Sequence, residues 1–394
     1  MSETVSRRQW LIKTGVGVGV GVGASVALPG LLPALEASRA LGGVSYAAVL
    51  DQLERDITTH RRAAGPIRLC FNENPFGMSP KAKEAIMGAW SEHPHYDPPA
   101  MKELTSSYAR YLGVEPNQVL ITQGSSEVLS LAALAFGMQG GEVVLPWPTY
   151  EQLPEYAISM GLTVHKVPLD ADLHHDFSAM EAKINGKTKV VFVCNPNNPT
   201  GILDGQQKMR DFVISTAKKC VVVVDEAYHD FVDDPSYRSM TDLVTAGHNI
   251  IVSRTASKIH SLAGLRIGFA IAHPDVLKKM AEFSTGNPNT FGMRAAIASV
   301  QDTEYQAFVK AKNLEGRALL TAALTKAGRR VAASHTNFVF FHAGRPVEQL
   351  QKHFMDKGFR VGRAFQPFND WCRVSIGTPD EMKQFVALLP QALA

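Results

Sequence analysis

Between residues 118 and 272 the chain alternates short apolar runs with longer amphipathic ones. The runs QVLIT (118–122), EVVLP (142–146), KVVFVCNP (189–196), CVVVVDEAY (220–228), NIIVSRT (249–255) and RIGFAIA (266–272) have the length and branched-residue content of strands. EVLSLAALAFG (127–137), YEQLPEYAISMG (150–161) and GQQKMRDFVISTAKK (205–219) carry helical spacing. Strands that are apolar almost throughout, each followed by a helix, predict an α/β unit. Its sheet is mainly parallel and covered on both faces. Past residue 287 the texture changes. Long helical stretches over 292–328 lead to HTNFVFFHA (335–343), a helix near 346–358, then FRVGRAF (359–365) and CRVSIGT (372–378). These predict a smaller α+β unit. A chain of 394 residues exceeds what one core usually holds. The expected division is an arm and part of the small domain over 41–95, a large domain over 96–287, and a small domain over 288–394.

Residues 1–40 do not fit that pattern. Arg7-Arg8 precede Trp10-Leu11-Ile12-Lys13, and no charge follows from Thr14 to Leu35. The glycines spaced by one residue there superficially match a dinucleotide loop, but no strand precedes them and no β-α-β unit surrounds them. Alternating glycine with Pro29 and Pro33 makes a poor spanning helix. The stretch resembles a twin-arginine signal, with small residues at Ser38 and Ala40 that permit cleavage after Ala40. The resemblance implies use of the twin-arginine export machinery and a periplasmic protein, anchored in the membrane if the signal is retained.

A formal charge of +3, with no basic stripe interleaved with aromatics, argues against a nucleic-acid partner. Cys70, Cys194, Cys220 and Cys372 form no C-x-x-C pair and have no zinc spacing, so neither a metal nor a disulfide framework is expected. His174-His175 and His93/His95 read as surface or turn residues; His229 and His260 flank the strand-end residues described next.

Ligands of such sheets sit at the carboxyl ends of the strands, and there the chain carries its chemistry. One strand ends at Gly124-Ser125-Ser126 and opens into a helix, whose free N–H groups and dipole suit a phosphate. Another ends at Asp225, with Tyr228 three residues on; a third leads into NPNNPTG with Asn198; a fourth ends in Thr255, Ser257 and Lys258. The hydroxyls of Thr255 and Ser257 and the guanidinium of Arg266 would complete an anion cup. Tyr150 offers a ring to lie against a flat ligand. Carboxylate, asparagine, phenol, phosphate cup and amine together fit pyridoxal 5′-phosphate, held as a Schiff base on Lys258 with Asp225 against its ring nitrogen.

The chain from about Arg68 onward resembles the fold-type I pyridoxal-phosphate enzymes of the class I/II aminotransferase group, nearest the histidinol-phosphate aminotransferase branch. The resemblance rests on NENPFGMSP (72–80), HYDPP (95–99), NPNNPTG (195–201), DEAY (225–228), SKIHSLAGLRIG (257–268) and RVSIGT (373–378). It implies a seven-stranded large domain, a homodimer with shared active sites, and amino transfer between an amino acid, or amino phosphate, and a 2-oxo acid. Asp225 would keep the ring nitrogen protonated, and Tyr228 and Asn198 would tune the ring oxygen. Tyr96 matches a tyrosine lent across the dimer to the cofactor phosphate. Arg373 matches the arginine that holds the substrate carboxylate or phosphate, and Asn72 and Asn337 fall on segments lining the substrate side. Ser126 replaces a usual aspartate and His95 a frequent arginine, while VGRAFQPFNDW adds Arg363 to an atypical loop. That loop leaves room for a lyase, decarboxylase or cyclase of the same fold. A non-catalytic pyridoxal-phosphate sensor is disfavoured by the absence of an N-terminal DNA-binding domain.

Overall fold

The computed structural model describes residues 45–53 and 65–394. The chain divides into two units, 1–56 and 57–394. In the first, a helix covers residues 46–53 and buries Val49, Leu50 and Leu53, one side of it at helical spacing. The expected signal over 1–40 lies outside the described residues.

The second unit holds strands β1 (Ile67–Leu69), β2 (Val119–Thr122), β3 (Glu142–Trp147), β4 (Thr163–Pro168), β5 (Thr188–Cys194), β6 (Val221–Asp225), β7 (Ile250–Thr255), β8 (Gly268–Ala272), β9 (Phe338–His342), β10 (Phe359–Val361) and β11 (Trp371–Ser375). Seven of them form one sheet in the order β2-β8-β7-β6-β5-β3-β4. The pairs from β7 to β4 are parallel, and β8 runs antiparallel to both neighbours. This is the mainly parallel sheet that the strand runs predict, with the seven strands that the resemblance implies.

Alternation along the strands sorts the side chains to two faces. Val221, Val223 and Ile251 pack with Val128, Leu129, Leu153 and Leu277 from helices Ser125–Gly137, Gln152–Ser159 and Pro274–Ala281. Val222, Val224, Ile250 and Val252 pack instead with Leu104, Met209, Phe212 and Met293 from helices Pro98–Leu112, Gln206–Ala217 and Thr290–Gln301. Both faces are therefore dry, which is why the runs read as continuous valine rather than as an alternation.

A second core joins Ile67 and Leu69 of β1, Val339 and Phe341 of β9, Val361 of β10 and Val374 of β11 to Leu320, Phe354 and Phe385. Those last three come from helices Thr303–Lys326, Val347–Asp356 and Pro379–Leu393. β1 pairs in parallel with β10, and β9 antiparallel with β11. Of the helices after residue 287, Thr290–Gln301 packs in the first core through Met293, Ala295, Ala296, Ile297 and Val300, and Thr303–Lys326 packs in the second through Leu320 and Leu324. The helical stretch itself breaks at Asp302, whose carboxylate caps the new helix by accepting from Tyr305 N–H.

Candidate active site

The strand ends open on a pocket of about 470 Å³. Ser125 and Ser126 line it, and behind them Gly124 adopts φ 87° at the start of the helix Ser125–Gly137. The Arg266 guanidinium lies over this turn and donates to Gln123 O at 3.2 Å and to Ala263 O at 2.8 Å. A Cβ on Gly124 would meet Arg266 Nη2 at 2.1 Å, and one on Gly268 would meet the Gly124 carbonyl carbon at 2.2 Å. Only glycine at both positions lets the arginine and β8 close on the helix start. Thr255 Oγ1 accepts from Ser257 N at 3.1 Å and donates to Ser257 Oγ at 2.9 Å, holding both hydroxyls beside the cup. Helix N–H groups, two hydroxyls and a guanidinium form a donor set that fits a phosphate.

Asp225 ends β6, almost fully buried, and no ion-pair partner faces it among the described residues. Burial pushes its carboxyl up to about 7, against the pull of Ala227 N–H, the Ser253 hydroxyl and the Lys258 charge. A buried carboxylate of this kind is costly unless it is protonated or met by a cation. It therefore fits the ring nitrogen of a protonated pyridine. Tyr228 is buried beside it, and its hydroxyl accepts from Asn72 Nδ2 at 2.9 Å. Burial raises the phenol well beyond its ordinary value, so it is a proton donor at neutral pH. Tyr150 lines the pocket, with its hydroxyl 3.3 Å from Ser126 Oγ.

Lys258 Nζ donates to Asn72 O at 3.2 Å and to Phe71 O at 3.3 Å, and sits 5.5 Å from the Tyr228 ring centroid. Burial first, then the Arg373 guanidinium, lowers its ammonium to about 8. Arg373 is itself buried; it donates to Asn198 Oδ1 and to Cys70 O, both uncharged, and its Nε has no partner. A buried guanidinium met only by neutral acceptors is open to an anion. Arg363 also lines the pocket, pairs with Glu151 and stacks at 4.4 Å on Phe365.

The pocket thus gathers Asn72, Ser125, Ser126, Tyr150, Asn198, Asp225, Tyr228, Thr255, Ser257, Lys258, Arg266, Arg363 and Arg373. Of the other expected residues, Gly124 forms the turn behind Ser125 without lining the space, and two lie elsewhere. Asn337 does not line it: its Nδ2 donates to Asn72 O at 3.0 Å, so it acts by holding Asn72, which sits at φ 55°. Tyr96 is 92% exposed and lines a separate surface groove with His93 and His95. Of the histidines expected at the surface, His175 is buried, with Nδ1 2.8 Å from Asp204 Oδ2. Glu151, Gln351 and Arg360 also line the pocket and were not expected from the sequence. The first directly follows Tyr150, and the last is a charge inside the apolar run FRV, signals that adjacency and strand alternation do carry.

The family described as aminotransferase class I and II matches residues 64–389. A histidinol-phosphate aminotransferase of Brevibacillus brevis is 35% identical over 331 residues, spanning 82% of this chain and 90% of the relative. The solved histidinol-phosphate aminotransferase of Sinorhizobium meliloti, in complex with pyridoxal 5′-phosphate, superposes with a TM-score of 0.78 at 25% identity, over 95% of this chain and 99% of that one. A solved Erwinia carotovora atroseptica chain described as a candidate histidinol-phosphate aminotransferase reaches a TM-score of 0.80 at 36% identity, over 83% and 95% of the two chains.

Proposed function

This chain belongs to the class I and II aminotransferase family, and from that premise we propose that it moves an amino group between an amino acid, or amino phosphate, and a 2-oxo acid, using pyridoxal 5′-phosphate. The observation that carries the reading is the pocket itself. An amine at Lys258, a buried carboxylate at Asp225 and an anion cup at Ser125, Ser126, Thr255, Ser257 and Arg266 open on one space. When bound, the cofactor supplies an aldehyde and an electron-withdrawing ring that make the Cα proton of an amino acid labile.

The chain's own residues divide the remaining work. Ser125, Ser126, Thr255, Ser257 and Arg266 hold the phosphate. Asp225 would keep a proton on the ring nitrogen, and Tyr228 and Asn198 would hydrogen-bond the ring oxygen. Tyr150 would pack against the ring. Lys258 Nζ would hold the cofactor and would take the substrate Cα proton, a transfer that needs an amine deprotonated near working pH. Its ammonium, lowered to about 8, meets that need. Arg373 receives the substrate carboxylate or phosphate, with Arg363 and Asn72 on the same wall.

Two further parts of the reading concern the molecule's setting. The exposure of Tyr96, on a groove apart from its own pocket, supports a homodimer in which that phenol serves the neighbouring subunit. The Arg7-Arg8 stretch supports export to the periplasm by the twin-arginine route.

The test is a panel of amino donors added to purified protein loaded with pyridoxal phosphate, with a 2-oxo acid as acceptor. Stoichiometric appearance of the donor's oxo acid and of the acceptor's amino acid is expected. Release of ammonia or carbon dioxide in their place would contradict amino transfer.

A further inference from the structure

Behind the pocket, on the opposite face of the sheet, lies a buried ion pair to which the proposed chemistry gives no task. Glu226 follows Asp225, and Arg254 stands between Ser253 and Thr255. Strand parity separates them from their neighbours. Asp225 is in register with Ser253, and both share the pocket's face with Thr255. Arg254 continues the opposite row of Ile250 and Val252, which packs on Leu104 and Met293.

On that side the pair is fully enclosed, with side-chain exposures of 3% for Arg254 and 1% for Glu226. Arg254 Nε donates to Glu226 Oε2 at 2.8 Å, and its Nη2 lies 2.7 Å from the same oxygen. The Ser239 hydroxyl donates to Oε2 and Met240 N–H to Oε1, each at 2.8 Å. Glu226 N–H donates to Ser253 O at 2.9 Å, so side chain and backbone of one residue both reach β7.

Enclosing two full charges is expensive, and apolar side chains of similar volume often stabilise a core as well or better. What such side chains lack is a fixed geometry. The bonds here lock the residue after Asp225 to the residue before Thr255, three positions ahead of Lys258. We propose that Glu226 and Arg254 are positioning residues for the transfer reaction: from the reverse face they fix the ends of β6 and β7, and so the placement of Asp225 against Lys258. This rests on the function proposed above.

The test compares wild type with R254K, E226Q and the volume-matched double variant E226L/R254M, each loaded with pyridoxal phosphate. Three quantities are measured: thermal midpoint, the pH titration of the bound cofactor's visible absorbance, and kcat against KM for one donor. The double variant is expected to fold and bind cofactor. Its kcat should fall by roughly 10²-fold, the scale on which an ångström of misplacement acts. KM should stay near wild type, and the absorbance midpoint should move. R254K should recover part of kcat, because it restores the charge without the paired donors. A folded double variant with wild-type kcat and an unmoved absorbance midpoint would overturn the proposal. So would single variants whose kcat falls only in proportion to lost folded protein. If wild type itself bound cofactor and transferred no amino group, the functional reading would fail first and this inference with it.

Discussion

Lys258→Ala is expected to remove the visible absorbance of bound cofactor and to lower turnover by about 10⁴-fold or more, the upper end of what one general base supplies. The loss is large because one amine serves twice, as the covalent tether and as the base at Cα. Its surroundings suit both tasks. Burial and the Arg373 guanidinium lower the ammonium to about 8, so a useful fraction is neutral near pH 7.5. The rate at which the cofactor-free chain captures the aldehyde should accordingly rise with pH through about 8 and level off above it. Stability carries the same signature. Between about 8 and the ordinary 10.5 the unfolded chain holds a proton that native Lys258 has released, so this residue's contribution grows as pH rises through that window. Steady-state turnover and stopped-flow absorbance check both parts. Wild-type activity in the alanine variant would remove Lys258 from the chemistry.

Asp225→Asn is expected to separate stability from function. In the cofactor-free chain the carboxyl is pushed up by burial to about 7, from an ordinary 3.8. Between those values the native state holds a proton that the unfolded chain has lost. Its favourable contribution is therefore present at low pH and fades as pH rises through 7. At pH 8 the asparagine variant without cofactor should thus melt higher than wild type. With cofactor bound it should turn over roughly 10²–10³-fold more slowly, the cost of removing a preorganised electrostatic partner. Melting curves of the cofactor-free proteins and turnover of the loaded ones test the two halves. A variant that melted lower without cofactor and turned over normally would show that Asp225 has a structural task instead.

The strands that carry these residues were legible because burial on both faces leaves a strong signal. Val221–Val224 and Val190–Val193 have no polar position to confuse the pattern. β4 was not legible, for the converse reason: it is the sheet's edge, and TVHKVP keeps only Val167 buried. The helix Pro379–Leu393 was missed although its start is marked. Thr378 caps it, Pro379 opens it and Glu381 completes a reciprocal capping box.

Part of the pocket's large-domain lining was readable, since Asp225 and Thr255 end strands and Ser125 opens a helix. The substrate wall was not. Glu151 is far along the chain from Gln351 and Arg360, which lie on consecutive elements, and no local pattern brings the three together. Asn337 shows the same limit, because its segment was readable but the direction of its side chain depends on the backbone of Asn72.

The measurement that bears most directly on the account is reduction of the cofactor-loaded protein with borohydride, followed by tryptic digestion and mass analysis. A pyridoxyl group is expected on the peptide containing Lys258, and on that lysine within it. A reduced digest in which this peptide stays unmodified, or in which another lysine carries the group, would contradict the central claim.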